Sequence, residues 1–140
     1  MTTPHITAAE YFGRFIGHHD ATEQVRKAAD VLLDRVNRLI THLATKKMVH
    51  FRINPLTKSL ITGEGQGGFR PQDSGQGAPN SSHKEGRGID LYDPDGEIDD
   101  NIDDAMLEEF GLYREHPAAT RRWCHLTTRP PRSGKRSFYP

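Results

Sequence analysis

The chain has 140 residues, enough for one domain that buries roughly two-thirds of the surface its unfolded form would expose. Nineteen basic residues balance nineteen acidic ones, so no overall field exists to hold a nucleic-acid backbone or an anionic membrane surface. The single cysteine, Cys124, excludes an internal disulfide, and no apolar run is long enough to span a bilayer.

The opening stretch MTTPHITAAEYFGRFIGHHD lacks the continuous apolar segment of a secretory leader, which predicts synthesis in the cytoplasm without a signal peptide. Within it, TAAEYFGRFIG predicts a short helix that breaks at Gly17, His18 and His19. Asp20, followed three residues later by Glu23, is a capping-box-like start for a long amphipathic helix. Its apolar face is Val25, Ala28, Leu32, Val36, Leu39 and Leu43. After Lys47 the period changes: Val49, Phe51 and Ile53 alternate with His50 and Arg52, predicting the first strand, and Leu60 and Ile61 follow. Residues 63–80 are rich in Gly, Gln, Pro and Ser and predict a long loop.

GIDLYD then reads as a strand, DPDG as a turn, and NIDDAMLEEFG as a helix with Ile102, Met106, Leu107 and Phe110 on one face, ended by Gly111. RRWCHLTT is the last expected strand, before a proline-punctuated basic tail. The order predicts an α+β domain: a small antiparallel sheet with the N-terminal helices packed against it. It divides into a helical segment 1–47, a core 48–128 and a tail 129–140.

Alternation along these strands places Gly88, Asp90 and Tyr92 on one face and Ile89 and Leu91 on the other. Likewise Trp123 and His125 share a face opposite Cys124 and Leu126. His83, Asp90 and His125 would then form a three-ligand set with a fourth position open for water, the arrangement of a catalytic zinc. A histidine in a turn and an aspartate at a strand edge account for the same spacing without a metal. DPDGEIDD has the look of a calcium loop but lacks the ligand pattern of one, and reads better as a turn leading into an acidic helix start. Cys124 falls on the apolar face, as a small hydrophobe, and His18, His19, His42 and His50 lie far from the motif.

SSHKEGRGIDL resembles the SerXHisXXGlyXAlaXAsp signature of the zinc D-alanyl-D-alanine carboxypeptidases and phage L-alanyl-D-glutamate endopeptidases (endolysins), relatives of the hedgehog zinc domain. Gly88 replaces the alanine. GGFRP upstream is similar to the Gly-aromatic-Arg-Pro stretch of that family, and WCHL downstream to its Trp-X-His strand, so the likeness covers about residues 49–128. It implies zinc as cofactor, His83, Asp90 and His125 as its ligands, and Arg70 as the cation that binds substrate and stabilises charge. Ser81 and Trp123 join Arg70 as candidate substrate-binding residues.

One position departs from the family. The glutamate expected three residues before the last histidine, the general base, is Arg122, and the histidine that other branches place two residues before it is Trp123. A zinc peptidase lacking its base should lose roughly 10² to 10⁴ in rate. Glu115 and His116 are the nearest substitutes in sequence, with Glu85 inside the motif, and Glu115 is carried as the catalytic candidate beside Arg70.

The resulting expectation is a phage or prophage zinc peptidase that cuts a peptidoglycan stem peptide, as a released lysin or virion component. Its partners would be the stem peptide and other virion proteins, with no nucleic acid and no membrane. Two rivals stand beside it: a non-catalytic, zinc-containing structural or wall-binding virion protein, and a zinc-free packing module.

Overall fold

The structure, a computed structural model, describes residues 4–63, 67–74 and 81–139. Among the described residues, four α-helices, α1 (Ala8–Phe12), α2 (Glu23–Thr45), α3 (Glu97–Asn101) and α4 (Asp104–Phe110), accompany four strands, β1 (Gly88–Tyr92), β2 (Tyr113–Glu115), β3 (Trp123–Thr127) and β4 (Ser137–Phe138). The strands form one sheet in the order β1-β3-β2-β4. β3 pairs antiparallel with both neighbours, whereas β4 runs parallel to β2, so the α+β architecture is as expected and its sheet is mixed.

One face of the sheet is the core. Ile89 and Leu91 of β1 and Cys124 and Leu126 of β3 join Leu32, Leu33, Val36, Leu39, Ile40 and Leu43 of α2 in a single apolar cluster. Leu32, Val36, Leu39 and Leu43 of the anticipated stripe are buried on α2, with Ala29, Leu33 and Ile40 in place of Val25 and Ala28, because a helix of this length holds its place mainly by burying one face. Its cap is Thr22, whose hydroxyl accepts the Val25 N–H at 3.2 Å, not Asp20. Asp20 instead accepts the Gln72 N–H at 2.9 Å. A reciprocal capping box does form, between Thr7 and Glu10 at α1.

Other local expectations shift. Val49–Ile53 alternates but makes no strand: Ile53 is 53% exposed, and the nearest pairing is a single bridge between Asn54 and Ser59. Alternation needs a partner strand to become a ladder, and here the chain turns back at once, with the Asn54 amide donating to Ile61 and Thr62 carbonyls. The helix expected over 101–110 starts later, as α4 at Asp104, because the Asp103 carboxylate accepts the Met106 N–H at 2.8 Å, and a separate short helix, α3, precedes it. Gly111 ends α4 at a φ of 69°. The tail contributes β4. Residues 64–66 and 75–80 of the expected loop lie outside the described residues. No helix among the described residues is long and apolar enough to cross a membrane.

Candidate metal centre

The second face of the sheet carries the candidate ligands. β1 and β3 pair with Asp90 opposite His125 and Tyr92 opposite Trp123, so these four side chains share one face, as the alternation anticipated. Asp90 Oδ1 lies 2.7 Å from Nδ1 of His125. His83 reaches the same oxygen from outside the sheet, with Nε2 at 3.3 Å. It stands on a 3₁₀ turn, Ser82–Glu85, capped by the Ser81 hydroxyl, which accepts the His83 N–H at 3.2 Å.

The three residues are buried, at 3%, 8% and 6% exposure for His83, Asp90 and His125. His125 thus shares the face of Trp123, as the alternation anticipated, but is buried there. Leu60, Thr62 and Gly67 bond to the free edge of β1, through Tyr92 N–H to the Leu60 carbonyl, Thr62 N–H to the Asp90 carbonyl, and Asp90 N–H to the Gly67 carbonyl. The chain then crosses onto the site face. Gly68 makes this crossing possible: a β-carbon there would stand 2.0 Å from the Tyr11 carbonyl oxygen, and Phe69 N–H donates to that same carbonyl. Tyr11 in turn donates its hydroxyl to the Gly88 carbonyl at 2.9 Å, tying α1 to β1 below the site.

Arg70 follows directly. Its guanidinium lies 3.3 Å from Asp90 Oδ2, with side-chain exposures of 11% for both, and its backbone N–H donates to the His83 carbonyl. It is thus no exposed loop arginine. Burial pulls its pKa down, and the charges of Asp90, Tyr11 and Glu115 push it back up. Burial acts against an ionised Asp90, yet the two imidazoles hold its carboxyl well below the usual carboxylate range. His83 is pulled down by burial, against the pull of Asp90.

The donor set suits a cation. Nδ1 of His83 lies 2.8 Å from the Gly68 carbonyl, which can only accept, so Nδ1 carries the hydrogen. In the neutral ring, Nε2 then turns its lone pair toward an acceptor, Asp90 Oδ1. Two facing acceptors repel unless a positive centre lies between them. A backbone carbonyl that fixes the tautomer of a histidine is also how metal-ligating imidazoles are oriented. His83, Asp90 and His125 bring one ligand atom each within 4.8 Å of one another, and could hold a metal ion.

A second group with the same spacing, His18, His19 and Asp20, is an ordinary turn. Nδ1 of His18 accepts the Asp20 N–H at 3.0 Å, and the His19 side chain is 85% exposed. The DPDGEIDD segment binds its own backbone: the two oxygens of Asp93 accept the Ile98 and Asp99 N–H groups at 2.9 and 3.1 Å. Cys124 is fully buried beside Asp99, and burial pushes its thiol up, so it packs as a hydrophobe.

Of the other expected site residues, Ser81 spends its hydroxyl on the cap, and Trp123 is 36% exposed on the site face beyond His125. Arg122 is exposed just outside β3. Glu115 belongs to β2, a strand the sequence reading did not contain; its signal was the short alternation of YRE between Gly111 and Pro117. Comparison with family models, with curated proteins and with solved structures found no match. The likeness to the zinc peptidases thus rests on the motif residues, and the structure brings His83, Asp90, His125 and Arg70 together around one point.

Proposed function

We propose that the protein is a zinc-dependent peptidase of the D-alanyl-D-alanine carboxypeptidase and endolysin type, acting on the stem peptide of cell-wall peptidoglycan. The observation that carries this reading is the convergence of two imidazoles and one carboxylate on a shared centre, with the tautomer of His83 set by Gly68. Two nitrogens and one oxygen from three residues are a catalytic-type zinc set, leaving room for a further ligand. A zinc ion held there supplies a Lewis acid for a carbonyl oxygen and lowers the pKa of water.

The chain's own groups divide the remaining work. Gly68 and Asp90 orient the two histidines, and Arg70 presents a fixed positive charge beside the centre, suited to the oxygen that gains charge as a peptide carbonyl is attacked. Burial under the 67–70 segment limits water around that charge, which strengthens its effect. A phage or prophage lysin, or a virion component that opens the wall, fits this chemistry.

The test pairs metal analysis with activity. Purified protein should carry one zinc, lost in the His83→Ala, His125→Ala double variant, and should release muropeptides from purified cell walls. Stoichiometric zinc in the double variant would remove the metal assignment. Zinc-loaded wild type that releases nothing yet sediments with cell walls would favour the wall-binding virion protein instead.

A further inference from the structure

A hydrolytic site of this kind needs a group that takes a proton from the attacking water, and position 122, an exposed arginine, cannot accept one. We propose that Glu115 is that general base, delivered from β2 by the register of the sheet; the assignment rests on the peptidase reading above.

Two observations carry it. First, β2 pairs with β3 as Tyr113 opposite Thr127 and Arg114 opposite Leu126, so the next step along the ladder brings Glu115 beside His125. His125 is itself opposite Asp90, which makes Asp90, His125 and Glu115 one row across three strands. Second, Arg114 points to the other face, where its guanidinium bonds the Asp99 carbonyl at 2.8 Å, so alternation turns Glu115 to the site face.

The backbone on both sides of Glu115 is pinned. Arg114 N–H donates to the Arg136 carbonyl at 2.8 Å and His116 N–H to the Phe138 carbonyl at 2.6 Å, so β4 holds Glu115 in a half-buried place. The competing groups are engaged elsewhere. Glu85 bonds Arg129 at 2.9 Å. His116 has Nδ1 on the Ala118 N–H and its ring stacked on Tyr139, 4.5 Å between centroids. Asp93 caps α3, and Asp99 pairs with Arg114 below the sheet.

In the step itself, a Glu115 carboxylate oxygen takes one proton of the water as the water oxygen forms a bond to the carbonyl carbon. The carbon–nitrogen bond then breaks, and the same proton passes to the leaving amine nitrogen. One O–H and one C–N bond are lost; one C–O and one N–H bond are made.

The test compares zinc-loaded wild type, Glu115→Gln and Glu115→Asp by zinc affinity from chelator competition, and by kcat and KM on soluble muropeptides. Glu115→Gln should keep zinc affinity within about threefold and KM near wild type, while kcat falls roughly 10² to 10⁴-fold. Glu115→Asp, which keeps the carboxylate, should recover at least about tenfold of that loss. Glu115→Gln with wild-type kcat, or equal losses in both variants, overturns the assignment and leaves the peptidase reading standing. A fall of tenfold or more in zinc affinity overturns it too, by making Glu115 a metal ligand. Inert zinc-loaded wild type overturns the peptidase reading and the base with it.

Discussion

Gly88→Ala should uncouple the metal centre from the strand that carries it. The zinc-peptidase signature that this segment resembles has alanine at the position, but here a β-carbon would lie 2.2 Å from Ser82 Oγ and 3.1 Å from both Ser82 Cβ and the His83 nitrogen. Ordinary contacts sit at about 3.5 to 4.0 Å, so the Ser82 hydroxyl must retreat by about 1.3 Å and the turn bearing His83 by several tenths. Ser82 is 5% exposed and has little room to move. Overpacking of this kind costs about 1–3 kcal/mol. If the turn stays, the cost falls on folding; if it moves, His83 leaves the centre and the cost falls on the metal, at tenfold in affinity per about 1.4 kcal/mol. Denaturant unfolding of the metal-free protein and chelator competition for zinc separate the two. The Ser82→Ala, Gly88→Ala pair should recover part of the loss, since it removes the 2.2 Å contact and keeps the 3.1 Å ones. Unchanged stability together with unchanged zinc affinity in Gly88→Ala would refute the packing of the 3₁₀ turn on β1.

Two further outcomes concern the underside of the sheet and its edge. Burial pushes the Asp99 carboxyl up to about 6, from an ordinary value of 3.8, despite its Cys124 and Arg114 partners. The folded state therefore binds the proton more tightly than the unfolded one, and the associated stability is full below about pH 4 and lost as pH rises through about 6. Wild-type stability relative to Asp99→Asn should rise as pH falls from 7 to 4 in urea unfolding; a constant difference would contradict the burial of this charge. Arg136→Ala removes a guanidinium stacked 4.3 Å from the Tyr113 ring and bonded to the Leu112 carbonyl at 3.0 Å. It should cost about 1–2 kcal/mol and lower kcat more than zinc affinity, because β4 loosens around Glu115 while the ligands stand on β1, β3 and the 3₁₀ turn.

The shared face of Asp90 and His125 was legible in the chain because it obeys a local rule, whereas His83 was picked out by the motif it belongs to. The period-2 alternation of GIDLY and WCHLT decides which side chains share a face, and backbone geometry enforces it whatever the partners are. The same holds for the stripe of α2 and the glycine stop after α4, both set within a few residues. What could not be read locally was whatever depends on a partner. Val49–Ile53 alternates as well as β1 does, yet finds no strand to pair with. Three-residue β2 and two-residue β4 are too short to announce themselves, and exist because β3 offers an edge and the tail returns to close it. Only the register between β2 and β3, carried one step past Arg114 opposite Leu126, brings Glu115 toward His125 and Asp90, ten residues away from one and twenty-five from the other. The burial of Arg70 against Asp90 is likewise tertiary, since Gly68 must pass against the Tyr11 carbonyl before Phe69 can sink into the core and Arg70 can turn over the centre. A pattern states which face a side chain takes; pairing between distant segments decides what that face meets.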